Sequence, residues 1–128
     1  MKLGYTLVYV SDVPASLAFF ERAFGLARRF LHDSGSYGEL DTGATTLGFA
    51  QHAVARTNLG HDYVAADSSA KPLGMEIGLV TDDVAAAYRQ ALAAGAAPLA
   101  PPSVKPWGQT AAYVRCPDGT LVELCTAV

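Results

Sequence analysis

Two stretches of the chain repeat each other's punctuation 70 residues apart. "VSD" at 10–12 is matched by "VTD" at 80–82, and Gly25 is matched by Gly95. A strand-like run precedes each, "LGYTLVYV" (3–10) and "GMEIGLV" (74–80). An amphipathic helical pattern follows each, over 11–25 and 81–95. Ser11 or Asp12 caps the first helix, Pro14 suits its first turn and Gly25 its stop. Thr81 or Asp82 caps the second, and Gly95 ends it. Leu17, Phe20 and Phe24 recur at helical spacing, so the first helix covers an apolar surface. Three strand candidates then follow each helix: 27–32, 36–41 and 45–51, and later a short strand near 97–100 with 109–116 and 120–126. The order βαβββ therefore occurs twice. A repeat of this length predicts two half-domains that build one core, rather than a solenoid. A chain of 128 residues is one domain of class α+β. Its halves span about 1–51 and 74–128. The connection between them, 52–73, shows no clear period, and connections of that length are functional or mobile.

Composition narrows the partners. Half of the residues are hydrophobic and 16% are charged, which argues for a packed globule. A net charge of −3 with no Lys/Arg cluster argues against nucleic acid. The opening "MKLGYTLVYVSD" is too short and too polar to read as a signal peptide or a membrane span, so the expected location is cytoplasmic, with no membrane partner. Cys116 and Cys125 flank "PDG", where Pro117 suits a type I turn and Gly119 the left-handed position after it. That loop pairs Cys116 with Thr120, Ala111 with Cys125 and Tyr113 with Glu123. The two sulfurs are not cross-strand partners, and no disulfide is expected.

Alternate residues of a strand share a face. Over 74–80, Met75, Ile77 and Leu79 form an apolar face for the following helix, while Glu76 lies opposite with Gly74, Gly78 and Val80. In the last strand Val122 and Leu124 face the helices, and Glu123 shares its face with Leu121 and Cys125. The matching face of the first strand is Tyr5, Leu7 and Tyr9. A lone strand glutamate is most often solvated and inert. Two at related places of a repeat, each among Gly, Val, Leu and Cys, instead suggest a half-apolar concave surface. Other polar residues signal less. His32, His52 and His61 read as surface or loop residues, and no HxH or HExxH spacing exists. Ser11 and Ser16 have no nucleophile-elbow context, and the glycines form no phosphate loop.

The double βαβββ order, "VSDVPASLAFFERAFGL" and the closing "WGQTAAYVRCPDGTLVEL" resemble the vicinal oxygen chelate superfamily, over almost the whole chain. That group includes glyoxalase I, extradiol dioxygenases, fosfomycin-modifying enzymes and bleomycin resistance proteins. The resemblance implies paired βαβββ modules whose curled mixed sheets surround a cup, often closed across a homodimer interface. Enzymes of the family hold a divalent metal there with one His, Gln or Glu from each of four strands. The corresponding positions are Tyr5, Gly48, Glu76 and Glu123. The strict offset of 70 would align Met75 with Tyr5, whereas alternation favours Glu76.

This set departs from the pattern, since Gly48 offers no donor and Tyr5 and Glu76 stand where His is usual. Two carboxylates and a phenol poorly suit Zn, Ni or Fe, which favour imidazole. The expectation is therefore no cofactor, with one divalent metal on Glu76 and Glu123 as the alternative. Metal-free members of this style are drug-binding resistance proteins, which also carry "PWG" before the last hairpin, here Pro106, Trp107 and Gly108. Trp107 is either a core residue or a stacking wall at the rim. The implied reading is a dimeric protein that sequesters a small, flat, cationic ligand among Tyr5, Leu7, Tyr9, Gly48, Glu76, Trp107, Tyr113 and Glu123. The alternatives are a metal-dependent lyase, isomerase or dioxygenase with unusual ligands, and a catalytically idle partner-binding domain.

Overall fold

The computed structural model of the chain describes residues 1–128. The first half runs β1 (Tyr5–Val10), α1 (Val13–Phe24), β2 (Arg28–Leu31), β3 (Tyr37–Leu40) and β4 (Thr46–Gln51). The second runs β5 (Glu76–Val80), α3 (Val84–Ala94), β6 (Ala97–Val104), β7 (Thr110–Arg115) and β8 (Leu121–Cys125). Between them lie a helix α2 (His52–Leu59) and one 3-10 turn, Ala66–Ser68. The double βαβββ order is present, and most strands end a residue or two inside the expected limits.

Each half forms its own four-stranded sheet, in the orders β1-β4-β3-β2 and β5-β8-β7-β6. In both, the first strand pairs parallel with the fourth and the other pairs are antiparallel. Helix α1 packs on the first sheet and α3 on the second, and the halves meet where α1 lies against α3. Phe20 of α1 meets Phe49 of β4 edge-on, with ring centroids 5.1 Å apart. Seventeen buried residues from both halves make one continuous core, among them Leu17, Phe20, Leu40, Phe49, Val84, Ala91, Val114, Val122 and Leu124. Burial of both helices is shared between the halves, which is why one core serves two modules.

The helix ends correct the repeat. Asp12 caps α1 by accepting from the Ala15 N–H at 3.0 Å. The equivalent cap of α3 is Asp83, which accepts from Ala86 N–H at 2.9 Å; it is not Thr81 or Asp82. Caps and strand registers are thus 71 residues apart, while the left-handed stops Gly25 and Gly95 are 70 apart. Helix α3, with 11 residues against 12, absorbs the difference. Register at offset 71 makes Glu76 the counterpart of Tyr5. Met75 falls just outside β5 and is exposed rather than packed under α3, whereas Ile77 and Leu79 do pack against the core.

Two further segments differ from expectation. The strand expected near 97–100 continues to Val104 through Pro98, Pro101 and Pro102. It can do so because β6 is the outer edge of its sheet and bulges twice against β7. The connection is not structureless. Helix α2 was hidden from periodicity because Ala55 is its one buried residue.

Candidate functional site

The face of the second sheet turned away from α3 gathers three expected residues. β5 lies parallel to β8 with Gly78 opposite Glu123, and β7 lies antiparallel to β8 with Tyr113 opposite Glu123. The Tyr113 hydroxyl donates to Glu123 Oε1 at 2.9 Å. Gly78, having no side chain, leaves room for Glu123 Oε2, which sits 3.8 Å from where a Cβ would be. Glu76, two residues along β5 from Gly78 and on the same face, is close enough to sense Glu123. Burial first, then the charge of Glu123 and a hydrogen bond with it, raise the Glu76 carboxyl above the usual carboxylate range. The hydrogen bond to Glu123, then burial, pushes the Tyr113 phenol up to about 12. Lys105, not singled out in the sequence, holds Nζ 5.4 Å from the Tyr113 ring centre and donates to Ser103. It makes no ion pair with either glutamate, and neither carboxylate has a cation within ion-pair distance. Trp107 stands apart on the β6–β7 turn. It is 65% exposed, so it is not a core residue, and its indole N–H donates to Gln109 at 2.7 Å.

The equivalent face of the first sheet carries Tyr5, Leu7, Tyr9 and Gly48. Tyr5 is 62% exposed and Leu7 40%. Gly48 is buried and crowded, because a Cβ there would lie 2.7 Å from Leu7 Cδ2 and 3.3 Å from the Tyr37 hydroxyl. The donor missing at Gly48 is thus also sterically closed. Sequence reading missed Tyr37, Glu39 and Arg29. The Tyr37 hydroxyl donates to Glu39 at 2.8 Å, and burial, then this bond, pushes the phenol up to about 12. Arg29 lies 3.9 Å from Glu39 and 3.8 Å from Asp41, and donates to Thr46 at 3.0 Å. A usable signal existed: in "YGELD" Tyr37, Glu39 and Asp41 alternate with Gly38 and Leu40, which places them on the Gly48 face.

The four positions carried over from the family therefore fall on two separate four-stranded sheets, Tyr5 and Gly48 on the first and Glu76 and Glu123 on the second. Together they supply two carboxylates, a phenol and no donor at Gly48. Such a set does not fit a transition metal, and no group of three or more His, Cys, Asp or Glu side chains is placed to hold one.

The connection has a polar network of its own. His52, expected as a plain loop residue, is partly buried between the Tyr63 hydroxyl at 2.6 Å and the Asp67 carboxylate at 3.0 Å. Ser11 donates to the same carboxylate at 2.5 Å. Burial raises Asp67, but the bonds from Ser11 and His52 outweigh it and hold the carboxyl below its ordinary range. Arg115 of β7 donates to the carbonyls of Ala66 and Ser69, at 2.8 and 2.9 Å. The Tyr63 ring covers Tyr9, with centroids 5.0 Å apart. The two thiols are free and sit at different ends of β8, Cys116 beside Thr120 and Cys125 opposite Ala111.

Residues 2–124 match the family model of the Glyoxalase/Bleomycin resistance protein/Dioxygenase superfamily. No curated protein matches the chain. Solved structures share its fold. A glyoxalase-related enzyme from Fulvimarina pelagi is 20% identical, with a TM-score of 0.84 over 99% of this chain and 88% of that one. A glyoxalase/bleomycin resistance protein/dioxygenase family enzyme from Burkholderia phytofirmans PsJN is 21% identical, with a TM-score of 0.80 over the full length of both. TioX from Micromonospora sp. ML1 is 20% identical, with a TM-score of 0.71 over the full length of both. No helix is long and apolar enough to cross a membrane.

Proposed function

The chain belongs to the glyoxalase/bleomycin resistance protein/dioxygenase superfamily, and from that premise we propose that it is a binding protein that sequesters a small, flat, cationic ligand. The observation that carries this reading is the unpaired pair Glu76 and Glu123 on a half-apolar sheet face. Glu76 is exposed and Glu123 half-buried, so a cation can reach both carboxylates, and its charge would relieve their mutual repulsion. The Tyr113 phenol already orients Glu123. An aromatic cation would meet charge at the glutamates and a ring face at Tyr113. The cup closes when the face of one copy meets a face of a second, which covers the exposed Tyr5, Leu7 and Val80. The chemistry of the donor set supports a protein that works without a bound metal.

The test is calorimetric titration with ethidium, a planar aromatic cation. Glu123→Gln keeps the shape and removes the charge. It is expected to weaken binding roughly 10- to 150-fold, the equivalent of about 1.5–3 kcal/mol for a hydrogen bond to a charged group. Equal affinity in both proteins overturns the assignment of Glu123. Light scattering at micromolar concentration is expected to give a dimer. Elemental analysis of protein purified without added metal is expected to give well under one Zn, Ni or Fe per chain. Stoichiometric metal lost in Glu76→Gln would instead support a metal-dependent enzyme.

A further inference from the structure

On the second sheet, charges of opposite sign stand at the two ends of one tyrosine. The Tyr113 hydroxyl donates to Glu123 Oε1 at 2.9 Å, and Lys105 Nζ lies 5.4 Å from the centre of the same ring. The two charges are not paired with each other, nor is either paired elsewhere. Lys105 is held at both of its ends. Its backbone forms the base of the β6–β7 turn, where its N–H donates to the Gln109 carbonyl at 2.7 Å and its carbonyl accepts from Gly108 at 2.9 Å. Its ammonium donates to the Ser103 hydroxyl at 3.0 Å, the one hydrogen bond it makes within the chain. The first sheet has the contrary arrangement, since Arg29 lies within ion-pair distance of both Glu39 and Asp41.

The ammonium end is a seat for an anion. A lysine ammonium has three N–H donors, and one of them is used here. The Ser103 hydroxyl accepts that bond and keeps its own proton, which has no acceptor in the chain. Donors without a protein acceptor therefore lie side by side at the edge of the Tyr113 ring. At the other end Glu76 and Glu123 offer acceptors without a cation. A ligand that is only cationic would gain at the glutamates and be repelled by Lys105. A ligand with an anionic group at its far end gains at both. Its size is set by the spacing, because the ring of Tyr113 is what separates the ammonium from the carboxylates.

From the free ammonium, the free carboxylates and the ring between them, we propose that the ligand of this face is an aromatic zwitterion. Its cationic group meets Glu76 and Glu123, and a carboxylate one benzene ring away is taken by Lys105 and Ser103. This rests on the reading of the glutamate pair as a cation site and narrows it. Lys105 becomes the residue that sets specificity, since it selects against plain aromatic amines and in favour of amino carboxylates built on one ring.

Paired probes separate the two ends of the site. The compound para-aminomethylbenzoate carries both charges, and para-aminomethylbenzamide has the same shape without the negative one. Calorimetric titration at low ionic strength is expected to show the acid bound about tenfold more tightly than the amide, the weight of one hydrogen bond to a charged group. In Lys105→Met this ratio is expected to fall to about one, and Lys105→Arg, which keeps a cation, is expected to retain most of it. Glu123→Gln is expected to weaken both compounds and to leave the ratio standing. The lysines of the chain are Lys2, Lys71 and Lys105, so isotope labelling at the lysine ε carbon gives a direct reporter. The signal lost in Lys105→Met is expected to shift saturably with the acid and not with the amide. Equal binding of acid and amide to the unaltered protein overturns the zwitterion and leaves the cation site standing. A preference for the acid that survives in Lys105→Met overturns the role of Lys105. Failure of both compounds to bind overturns the cation site together with the inference built on it.

Discussion

The two sheets are built on one frame, yet they distribute glycine in opposite ways. In the first, Leu7 on the edge strand lies over Gly48 on its neighbour. In the second, Gly78 occupies the edge strand and Glu123 its neighbour. The exchange closes one face and opens the other. Leu7 and Tyr37 fill the space above Gly48, whereas nothing but Glu123 itself stands above Gly78. Charge follows the same division. Glu39 of the first face has Arg29 beside it, while Glu76 and Glu123 of the second have no cation. One half thus carries a satisfied surface and the other an unsatisfied one. Duplicated architecture can divide labour by moving a single glycine across a strand pair.

The sharpest break in the comparison is expected at the last turn of each half. Gly119 and Gly43 both have positive φ, 88° and 83°. A Cβ at Gly119 would lie 2.1 Å from the Ala66 carbonyl oxygen, whereas nothing lies within 4 Å at Gly43. Gly119→Ala adds backbone collision to strain and is expected to cost about 4 kcal/mol or more. Gly43→Ala meets strain alone, about 1 kcal/mol. Urea unfolding of the two variants checks this through the midpoint at unchanged slope. Similar costs would mean that the connection is not seated on the turn as described.

Next in size is the glycine exchange itself. Gly48→Ala drives a methyl into Leu7 and is expected to cost about 1–3 kcal/mol, the range for overpacking. Gly78→Ala meets only the Glu123 carboxylate at ordinary distance and is expected within about 0.5 kcal/mol of neutral. The collision at Gly48 is with the tip of a side chain, so Leu7→Ala should relieve it. A double-mutant cycle of Gly48→Ala with Leu7→Ala is expected to show favourable coupling. Additive costs would place the strain elsewhere.

The smallest expected effects are pH dependences of opposite sign. Glu76 has a raised carboxyl, so the folded chain binds more protons than the unfolded one in the range between its two values. Its contribution makes stability fall as pH rises from the ordinary glutamate value through the raised one. Asp67 has a lowered carboxyl. Its contribution is present above the ordinary aspartate value and is lost as pH falls through the lowered one. Glu76→Gln is therefore expected to raise stability near neutrality, and Asp67→Asn to lower it. Thermal melts from pH 3 to 7 check both signs, and a fall in stability near neutrality for Glu76→Gln would remove the unpaired charge on which the comparison rests.

Much of this contrast was legible in the chain. Alternation placed Glu76 and Glu123 on one face, and the "PDG" loop placed Tyr113 against Glu123, because period-2 geometry and turn length are local properties. The partner of Glu39 was not legible, since Arg29 reaches it across a strand pair whose register bulges between Arg28 and Phe30. The cap of α3 was misplaced by one residue because three candidates, Thr81, Asp82 and Asp83, stand in a row and only packing selects among them. The network of His52, Tyr63 and Asp67 escaped for a related reason. It joins residues of an aperiodic stretch, and only tertiary contact with Ser11 and Arg115 brings them together.

The outer rims of the sheets are protected against uncontrolled assembly in two ways. β6 ends its sheet with three prolines, which cannot donate to an added strand, and β2 is four residues long and opens with Arg28 and Arg29. The inner rims, β1 and β5, carry neither device, and the connection lies beside β1 through α2 and the turn Ala66–Ser68. Partial melting that lifts the connection would therefore uncover a template edge before it disrupts the core. Loss by precipitation on heating should then track release of the connection rather than global unfolding, and weakening the grip of Arg115 should lower the temperature of clouding more than that of the cooperative melt.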